Sequence, residues 1–251
     1  MRGIRLCGSG AAVPATRVSN VALSQRVETS DEWIRSRTGI GERRVAAAEE
    51  NLTGLATSAG QQALQNAGWE ASSVDLILLA TSSPDDLFGS APKVQAALGA
   101  KHAVAFDLTA ACSGFLFALV TAAQYLRCGA MQRVLVIGAD QLSSWVDWSD
   151  RRTCVLFGDG AGAVAVEATS SQNDALVGFR MASDGSRGEN LTLSQHAERQ
   201  ELLPGISAQQ GGFSTIAMNG QEVYKFAARE VPTILQQLLD DTGTSASQLD
   251  C

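Results

Sequence analysis

The residue best placed for covalent chemistry is Cys112, in the stretch DLTAACSGF. The apolar run over residues 103–108 predicts a buried, central strand, and the run over residues 113–126 predicts a buried helix. The small residues between them leave room only for a tight turn. Cys112 is therefore expected at a helix N-terminus, where unpaired N–H groups and the positive end of the helix dipole stabilise a thiolate.

Small neighbours give this cysteine the surroundings of a nucleophile. Ala110, Ala111, Ser113 and Gly114 would let a substrate carbonyl approach the sulfur, with backbone N–H groups free to bind an oxyanion. The alternative is a buried, inert cysteine, since free cysteine is among the most buried residue types. This stretch alone favours neither interpretation.

A second group of residues suits the binding of a nucleotide. Thr29 and Glu32 have the spacing of a capping box, which opens a short helix that Gly39 closes. Trp33 and Arg37 are four residues apart on this helix and share a face. An aromatic ring beside a fixed cation can stack on a base and bind phosphate. A surface cation–π pair with no ligand is the simpler interpretation of the same spacing.

Two glycine-rich stretches do not fit nucleotide-binding loops. Gly8 and Gly10 begin a G-x-G pattern, but Val13 and Pro14 stand where the third glycine and a helix should follow. The run FGDGAG at residues 157–162 lies between two short apolar runs rather than before a helix. It predicts a tight connection between two strands.

The order of the other elements predicts an α/β fold. Buried strands alternating with helices favour parallel pairing, with helices on both faces of the sheet. The loop at residues 82–92 carries one aromatic residue, Phe88, and residues 194–212 are expected to form a polar loop in which His196 is solvated. Helices are predicted over residues 52–67, 92–98 and 220–241, and strands over residues 3–13, 74–81, 133–139 and 176–182.

Composition narrows the class of protein. The chain has 251 residues, 45% apolar and 18% charged, as a globular protein of one large or two ordinary domains has. A net charge of −7 with no basic cluster argues against a nucleic-acid partner. Five scattered cysteines and two histidines favour neither a zinc site nor a disulfide framework, and indicate a reducing cytoplasm. The N-terminal stretch has no apolar core of secretory length, and no apolar run reaches the roughly 18 residues of a membrane span, so we expect a soluble, unprocessed protein.

The end of the chain repeats an earlier stretch. Residues 239–250 align without a gap on residues 64–75, with Leu, Gly, Ala, Ser and Asp identical. In the first copy Asp75 leads into a strand, whereas in the second Asp250 is followed only by Cys251. This predicts a duplicated architecture, and we expect the chain to be a fragment.

The stretches TSDEWIRSRTGIGERR, DLTAACSGF and FGDGAGAVAV, in this order and spacing, resemble the β-ketoacyl-acyl-carrier-protein synthase III family. These are the initiating condensing enzymes of type II fatty-acid synthesis, and the resemblance extends over residues 3–250. It implies a cytoplasmic homodimer with a thiolase-like fold, a duplicated α/β unit of five αβαβα layers. On this basis residues 1–172 form an N-terminal half that carries the nucleophile, and residues 173–251 begin a C-terminal half that is truncated.

The resemblance also implies the reaction. Cys112 would accept the acetyl group of acetyl-CoA and pass it to malonyl-acyl carrier protein, giving acetoacetyl-acyl carrier protein, CO2 and CoA. No cofactor is implied beyond the phosphopantetheine that the carrier protein bears, and no metal. Thr29, Trp33 and Arg37 match positions that hold the adenine and phosphates of CoA, and Arg151 matches the arginine on the other side of that adenine.

Two further positions match the family pattern, whereas the family's histidine and asparagine have no match in this sequence. Phe88 matches the aromatic residue that reaches across the dimer to the floor of the partner's acyl pocket, which favours a short primer. Lys225 matches a basic residue near the mouth of the site, a candidate contact for the carrier protein. The family's histidine and asparagine fall after Asp250, and neither His102 nor His196 matches that histidine. The chain as given is therefore expected to be inactive in condensation.

Other functions stay open at this point. One is a non-catalytic fragment that binds CoA or a carrier protein through Trp33, Arg37 and Arg151. Another is a related condensing enzyme of the thiolase fold, such as a polyketide synthase or a hydroxymethylglutaryl-CoA synthase. The stretch TSDEWIRSRTGI argues against the second possibility.

Overall fold

The computed structural model of the protein describes residues 2–250, so Cys251 lies outside the described residues. Strands and helices alternate through the first two thirds of the chain. The strands are β1 Gly3–Ala12, β2 Arg17–Ser19, β3 Glu42–Arg44, β4 Leu76–Ala80, β5 Val104–Leu108, β6 Arg133–Gln141, β7 Asp159–Thr169, β8 Leu191–Thr192, β9 Gln195–Leu203, β10 Ile206–Phe213 and β11 Ala217–Met218. The helices are α1 Asn20–Leu23, α2 Asp31–Thr38, α3 Leu52–Ala67, α4 Ala91–Leu98, α5 Gly114–Arg127 and α6 Gly220–Thr242.

A five-stranded sheet of order β1-β7-β6-β4-β5 forms the centre of the fold. β4 runs parallel to β5 and β6, as predicted, whereas β7 runs antiparallel to both β6 and β1. Leu76 at the start of β4 faces Val104 on one side and Val134 on the other. The carboxyl ends of these three parallel strands therefore meet at one edge of the sheet, where the chain turns into its loops.

Both faces of the sheet are covered by helices. Ile77 and Leu79 of β4 pack into a core with α3 and α4, while Leu76 and Leu78 point to the opposite face and pack on α5. All four side chains are fully buried. Burial of an aliphatic side chain of this size stabilises the fold by roughly 1.5–3 kcal/mol. β4, like β6, therefore contributes to the cores on both faces of the sheet.

The glycines of the G-x-G stretch have a packing role. A Cβ on Gly8 would lie 2.4 Å from the carbonyl oxygen of Ala63, and one on Gly10 would lie 2.2 Å from that of Ala59. Helix α3 thus rests directly on the backbone of β1. This contact explains the two glycines without any nucleotide.

The repeated sequence has a repeated structure. Helix α3 ends at a left-handed Gly68 and is followed by the 3-10 turn Ala71–Ser73. Helix α6 ends in the same way at Gly243, followed by the turn Ala246–Gln248. The predicted helices over residues 52–67 and 220–241 are confirmed. None of the helices in residues 2–250 is both long and apolar enough to cross a membrane.

The unit around Cys112 is less buried than predicted. Strand β5 is an edge strand rather than a central one, because no further strand among the described residues pairs with its outer side. Val104 on this strand is exposed. On α5, the side chain of Leu116 is 62% exposed, so the helix buries one face and not its whole circumference.

The glycine-rich run at residues 157–162 is not a tight turn between two strands, so that prediction is wrong. Asp159 begins β7, in which Gly160 faces Asp140 and Gly162 lies between Gly138 and Ala11. The residues before it form turns rather than a strand. Gly160 and Gly162 therefore lie within the ladder, Gly162 with neighbouring strands on both sides, whereas Gly158 precedes β7.

Two predictions for the last third of the chain are also wrong. Residues 176–182 form no strand, because they pair with no strand among the described residues and lie instead against the end of α6, where Gly178 meets Thr242. Residues 194–212 are not a loop, since they lie almost entirely in the antiparallel hairpin of β9 and β10. Nearly every residue of that hairpin is exposed, so no apolar alternation marks it.

Candidate active site

Cys112 lies where strand β5 passes into helix α5. The strand ends at Leu108, one 3-10 turn covers Ala111–Ser113, and α5 begins at Gly114. The thiol is exposed. No side chain caps the first turn of α5. The positive end of the helix dipole therefore lies at Cys112, while the N–H groups of Ser113 and Gly114 donate to the carbonyl oxygens of Ala110 and Ala111. The predicted position of Cys112 at a helix N-terminus is confirmed, and its exposure argues against the alternative of a buried, inert cysteine.

The turn before the thiol is strained at Ala111. Its φ is 46°, the only positive φ of a non-glycine residue within residues 2–250. A left-handed conformation costs an alanine roughly 1–2 kcal/mol. Such strain concentrates at functional sites, where the surrounding structure holds it. The strained conformation at Ala111 thus accompanies an exposed Cys112 thiol.

A cleft of about 490 Å³ opens beside the sulfur. Cys112 and Phe115 line it together with Ala80 at the end of β4, Gly138 of β6 and Gly162 of β7. It therefore lies at the carboxyl edge of the parallel strands, the usual place for a ligand in an open α/β sheet. Because most of these neighbours are small and apolar, a short acyl group has room next to the thiol.

Two aspartates with no role predicted from the sequence shape this edge of the sheet. Asp140 lines the cleft, and its carboxylate accepts hydrogen bonds from the Thr81 hydroxyl at 3.2 Å, the Ser82 N–H at 2.8 Å and the Ser83 hydroxyl at 3.0 Å. Asp107, at the end of β5, accepts from two N–H groups at the start of α4. Both carboxylates fix loops at the carboxyl edge. Their only signal in the sequence is an acidic residue at the end of an apolar run.

Trp33 and two arginines form a second cluster. The Arg37 guanidinium carbon lies 4.5 Å from the centre of the Trp33 ring, and that of Arg151 lies 5.3 Å from it. Arg151 also donates a hydrogen bond of 2.8 Å to the carbonyl oxygen of Glu28. The structure thus brings together three of the four residues predicted to hold CoA, from two segments more than 100 residues apart.

Thr29 is the fourth of these residues. It was predicted to cap α2, but it does not. Ser30 is the N-cap, and its hydroxyl accepts the N–H of Trp33 at 3.0 Å. The Thr29 hydroxyl is enclosed and has no hydrogen-bond partner within residues 2–250. The capping-box spacing was right for the start of the helix but one residue early for the cap.

Phe88 stands on a well-anchored loop. Its side chain is 100% exposed and that of Leu87 is 80% exposed. The N–H of Phe88 donates to Asp86 at 3.0 Å, and Asp86 pairs with Lys93 at 3.1 Å. The Phe88 N–H and Lys93 together hold the pKa of the Asp86 carboxyl below its ordinary value. The loop therefore presents an apolar tip from a fixed base.

Lys225 lies on the exposed side of α6. Its ammonium pairs with Glu222 at 2.8 Å, and this hydrogen bond lowers the pKa of the Glu222 carboxyl. Neither histidine lines the Cys112 cleft in the part of the chain that the structure describes. His102 precedes β5, at the end opposite Cys112, and His196 faces Gly212 in the exposed hairpin.

The sheet, its helices and the thiol at the strand–helix junction define a thiolase-like α/β fold, and comparison with known proteins agrees. The family described as 3-oxoacyl-[acyl-carrier-protein (ACP)] synthase III matches residues 106–185. The crystal structure of 3-oxoacyl-(acyl carrier protein) synthase III from Pseudomonas aeruginosa PAO1 superposes with a TM-score of 0.87 at 34% identity, over 99% of this chain and 74% of that one.

Two curated relatives are more similar in sequence. The β-ketoacyl-[acyl-carrier-protein] synthase III of Synechococcus sp. (strain RCC307) is 74% identical over 250 residues, 100% of this chain and 75% of that protein. The protein of the same description from Prochlorococcus marinus (strain MIT 9313) is 66% identical over 99% of this chain and 73% of its own length. The chain belongs to the β-ketoacyl-acyl-carrier-protein synthase III family of transferases in fatty-acid biosynthesis.

These comparisons bear on the remaining predictions. The resemblance found from the three sequence stretches is confirmed. The chain spans about three quarters of the length of the relatives it matches. The prediction that it is a truncated protein, inactive in condensation, is not confirmed by them.

Proposed function

We propose that the protein transfers the acetyl group of acetyl-CoA to Cys112 and condenses it with malonyl-acyl carrier protein. The products are acetoacetyl-acyl carrier protein, CO2 and CoA. One observation carries the proposal: the thiol of Cys112 is exposed on a strained turn at a helix N-terminus, beside an apolar cleft. Membership of the family supplies the reaction that such a thiol would perform.

The first half-reaction is an exchange of thioesters at Cys112. The thiolate attacks the acetyl carbonyl carbon, the carbonyl oxygen becomes an oxyanion, and CoA leaves as its thiolate when the C–S bond breaks. The positive end of the α5 dipole favours this oxyanion, whereas the N–H groups of Ser113 and Gly114 already donate to the carbonyl oxygens of Ala110 and Ala111. The small lining of the cleft suits an acetyl group better than a long acyl chain.

The second half-reaction forms a carbon–carbon bond. Malonyl-acyl carrier protein loses CO2, and the electron pair of the broken C–C bond becomes an enolate. Its carbon attacks the acetyl group on Cys112, and the cysteine sulfur leaves. Atoms and charge balance without any oxidant, reductant or metal.

The Trp33 cluster supports a site for the nucleotide of CoA. An adenine stacked between the Trp33 ring and Arg151 needs about 7 Å, two contact distances of about 3.5 Å each. Arg151 therefore moves outward when the base enters. Its side chain is exposed, and the move gives up its hydrogen bond to the carbonyl oxygen of Glu28. The Arg37 guanidinium can then bind a phosphate group of CoA. The Thr29 hydroxyl has no hydrogen-bond partner within residues 2–250. If its side chain rotated, this hydroxyl could form a hydrogen bond with a polar group of the ligand.

The exposed apolar edge supports a homodimer. Leu87 and Phe88 project beside β5, whose outer backbone is unpaired among the described residues, and Val104 and Leu116 are exposed on β5 and α5. An edge strand with apolar neighbours is a ready surface for a second copy. Phe88 would then reach the partner's acyl cleft.

Two further assignments belong to the same proposal. The repeat of helix, left-handed glycine and 3-10 turn supports two halves, residues 1–172 and 173–251. Lys225 is the proposed contact for the carrier protein. Its ammonium charge is partly neutralised by the ion pair with Glu222.

Mass spectrometry tests the proposal in its two steps. The 251-residue protein is mixed with acetyl-CoA, digested and searched for one acetyl group on the Cys112 peptide, with Cys112→Ser as the control. Malonyl-acyl carrier protein is then added, and acetoacetyl-acyl carrier protein is measured. An adduct that disappears as product forms supports the proposal. Absence of an adduct overturns it, and an adduct that malonyl-acyl carrier protein never discharges overturns the condensing step.

A further inference from the structure

Two polar residues outside the proposed chemistry are buried beneath the helix that carries Trp33. Asn20 is 0% exposed and Arg43 is 5% exposed. Within residues 2–250 no carboxylate pairs with Arg43, and burial lowers the pKa of its guanidinium. A buried cation without a counter-ion is costly unless it is hydrogen-bonded. Both terminal nitrogens of Arg43 have acceptors, whereas its Nε has none within residues 2–250. Those acceptors indicate what the side chain holds in place.

The Asn20 amide joins the two ends of α2. Its Nδ2 donates to the Asp31 carboxylate at 2.9 Å and to the carbonyl oxygen of Ile40 at 2.7 Å. Asp31 is the first residue of the helix, and Ile40 follows its left-handed C-cap. Ile34 is the only fully buried residue of the helix, with Trp33 partly buried against the same core. One side chain thus fixes the direction in which α2 presents its exposed face.

The Arg43 guanidinium extends this support to a distant segment. It donates to the Asn20 side-chain oxygen at 2.6 Å, to the carbonyl oxygen of Val155 at 3.2 Å and to that of Val18 at 2.9 Å. Val155 lies in a buried turn that follows Arg151 directly along the chain. Arg43 therefore connects the support of α2 with the segment that carries Arg151.

We infer that Asn20 and Arg43 are positioning residues for the nucleotide end of the acyl-CoA donor, because together they hold helix α2, which carries Trp33, against the segment that carries Arg151. Neither residue touches the ligand. The inference rests on the proposed function, in which the adenine lies between Trp33 and Arg151. Arg43 needs the planar fork of a guanidinium, since three acceptors in different directions cannot all be reached by an ammonium held at one point.

The test compares two acetyl donors that differ only in the nucleotide. Asn20→Ser and Arg43→Lys are mixed with acetyl-CoA or with S-acetylpantetheine, and the rate of Cys112 acetylation is followed against donor concentration. Loss of a hydrogen bond to a charged group corresponds to roughly a tenfold change. We expect the half-saturating concentration of acetyl-CoA to rise about tenfold, with the maximal rate and the values for S-acetylpantetheine unchanged.

A readout independent of catalysis accompanies the kinetics. Calorimetry with adenosine 3′,5′-bisphosphate, which carries the nucleotide end of CoA without a thioester, should show binding to both variants weakened by a similar factor. Arg35→Gln is the matched control, because Arg35 bonds the same Asp31 carboxylate from the exposed side. We expect Arg35→Gln to leave both donors and the bisphosphate unaffected.

Trp33→Ala separates failure of the inference from failure of the proposed function. If Trp33→Ala weakens acetyl-CoA alone while Asn20→Ser and Arg43→Lys do not, the inference is overturned and the nucleotide site stands. Equal loss with both donors in the two variants also overturns it, since that result indicates general unfolding. If Trp33→Ala does not distinguish the donors, the proposed nucleotide site is wrong and the inference falls with it.

Discussion

Cys112 and Cys128 lie at opposite ends of helix α5. Comparing their reactivities therefore measures the effect of the N-terminal position on a thiol. Cys112 precedes the first turn of α5, and Cys128 is its C-cap, where the thiol donates to the carbonyl oxygen of Tyr125 at 3.4 Å. Both side chains are exposed. The positive end of the helix dipole lies at the first position and the negative end at the second.

Alkylation with iodoacetamide measures this difference. At neutral pH we expect Cys112 to react roughly five- to tenfold faster than Cys128, since the two helix ends each contribute up to about 1 kcal/mol. Cys154 should be the slowest, because it is fully buried and burial raises the pKa of its thiol. Peptide mapping after timed quenching gives the three rates. Equal rates at Cys112 and Cys128 would contradict the role assigned to the helix N-terminus.

At the level of residues, local patterns were enough to place Cys112 but not to find its supports. A strand pattern and a helix pattern on either side defined the turn. Nothing in an alanine signals the left-handed Ala111. Asp140 and the Asn20–Arg43 pair depend on partners that are distant in the sequence, so their bonds follow only from the fold.

At the level of elements, burial decided which predictions were right. Helix α3 matched its predicted range because Asn51 caps its start, Gly68 ends it and a buried stripe runs between them. The hairpin of β9 and β10 was missed because it has no buried face to impose alternation. Residues 176–182 looked like a strand from their apolar content, but a strand exists only where another strand pairs with it.

The contact of α3 with β1 gives a test at this level. In Gly10→Ala the new Cβ would meet the carbonyl oxygen of Ala59 at 2.2 Å and the N–H nitrogen of Ala63 at 2.6 Å. Backbone atoms of a helix cannot give way singly, so we expect the free energy of unfolding to fall by about 3 kcal/mol. Urea denaturation measures it.

Gly162→Ala is the control for this substitution. Gly162 also lies in a strand of the central sheet, but a Cβ there would meet nothing within 4 Å. We expect its effect to stay within about 1 kcal/mol, because the alanine only reduces the freedom of the unfolded chain. If both variants lost the same stability, strand glycines in general, rather than the α3 contact, would be the cause.

At the level of the whole molecule, Asp174 ties the two proposed halves together. Its carboxylate accepts from the Ile4 N–H at 3.0 Å, from the Leu176 N–H at 3.1 Å and from Arg127 at 2.6 Å. Burial opposes its ionisation, but these hydrogen bonds outweigh that cost, and the pKa of Asp174 lies below its ordinary value. The end of α5, the first strand and the connecting segment meet at this one side chain.

Asp174→Asn should therefore lower stability in a way that depends on pH. The native pKa is depressed, so the stabilisation is present above the unfolded pKa of about 3.9 and is lost as the pH falls through the lower native value. At pH 7 we expect a loss of about 2 kcal/mol, which shrinks below pH 4. Urea unfolding of both proteins across this range measures it. Asp184→Asn, at an exposed pair with Arg187, is the control and should change little.

The last test concerns Phe88, whose side chain is fully exposed and packs against no other described residue of the same chain. A tip that packs on nothing adds nothing to the stability of a single copy, so Phe88→Ser should leave the melting temperature of dilute protein unchanged. A central aromatic anchor of an interface is worth about 2 kcal/mol or more, so the dissociation constant of the dimer should rise at least tenfold in sedimentation velocity. Val21→Ser, which removes another exposed apolar side chain on α1, should sediment like the parent. Unchanged association in Phe88→Ser would mean that copies of this chain do not meet at the edge of β5.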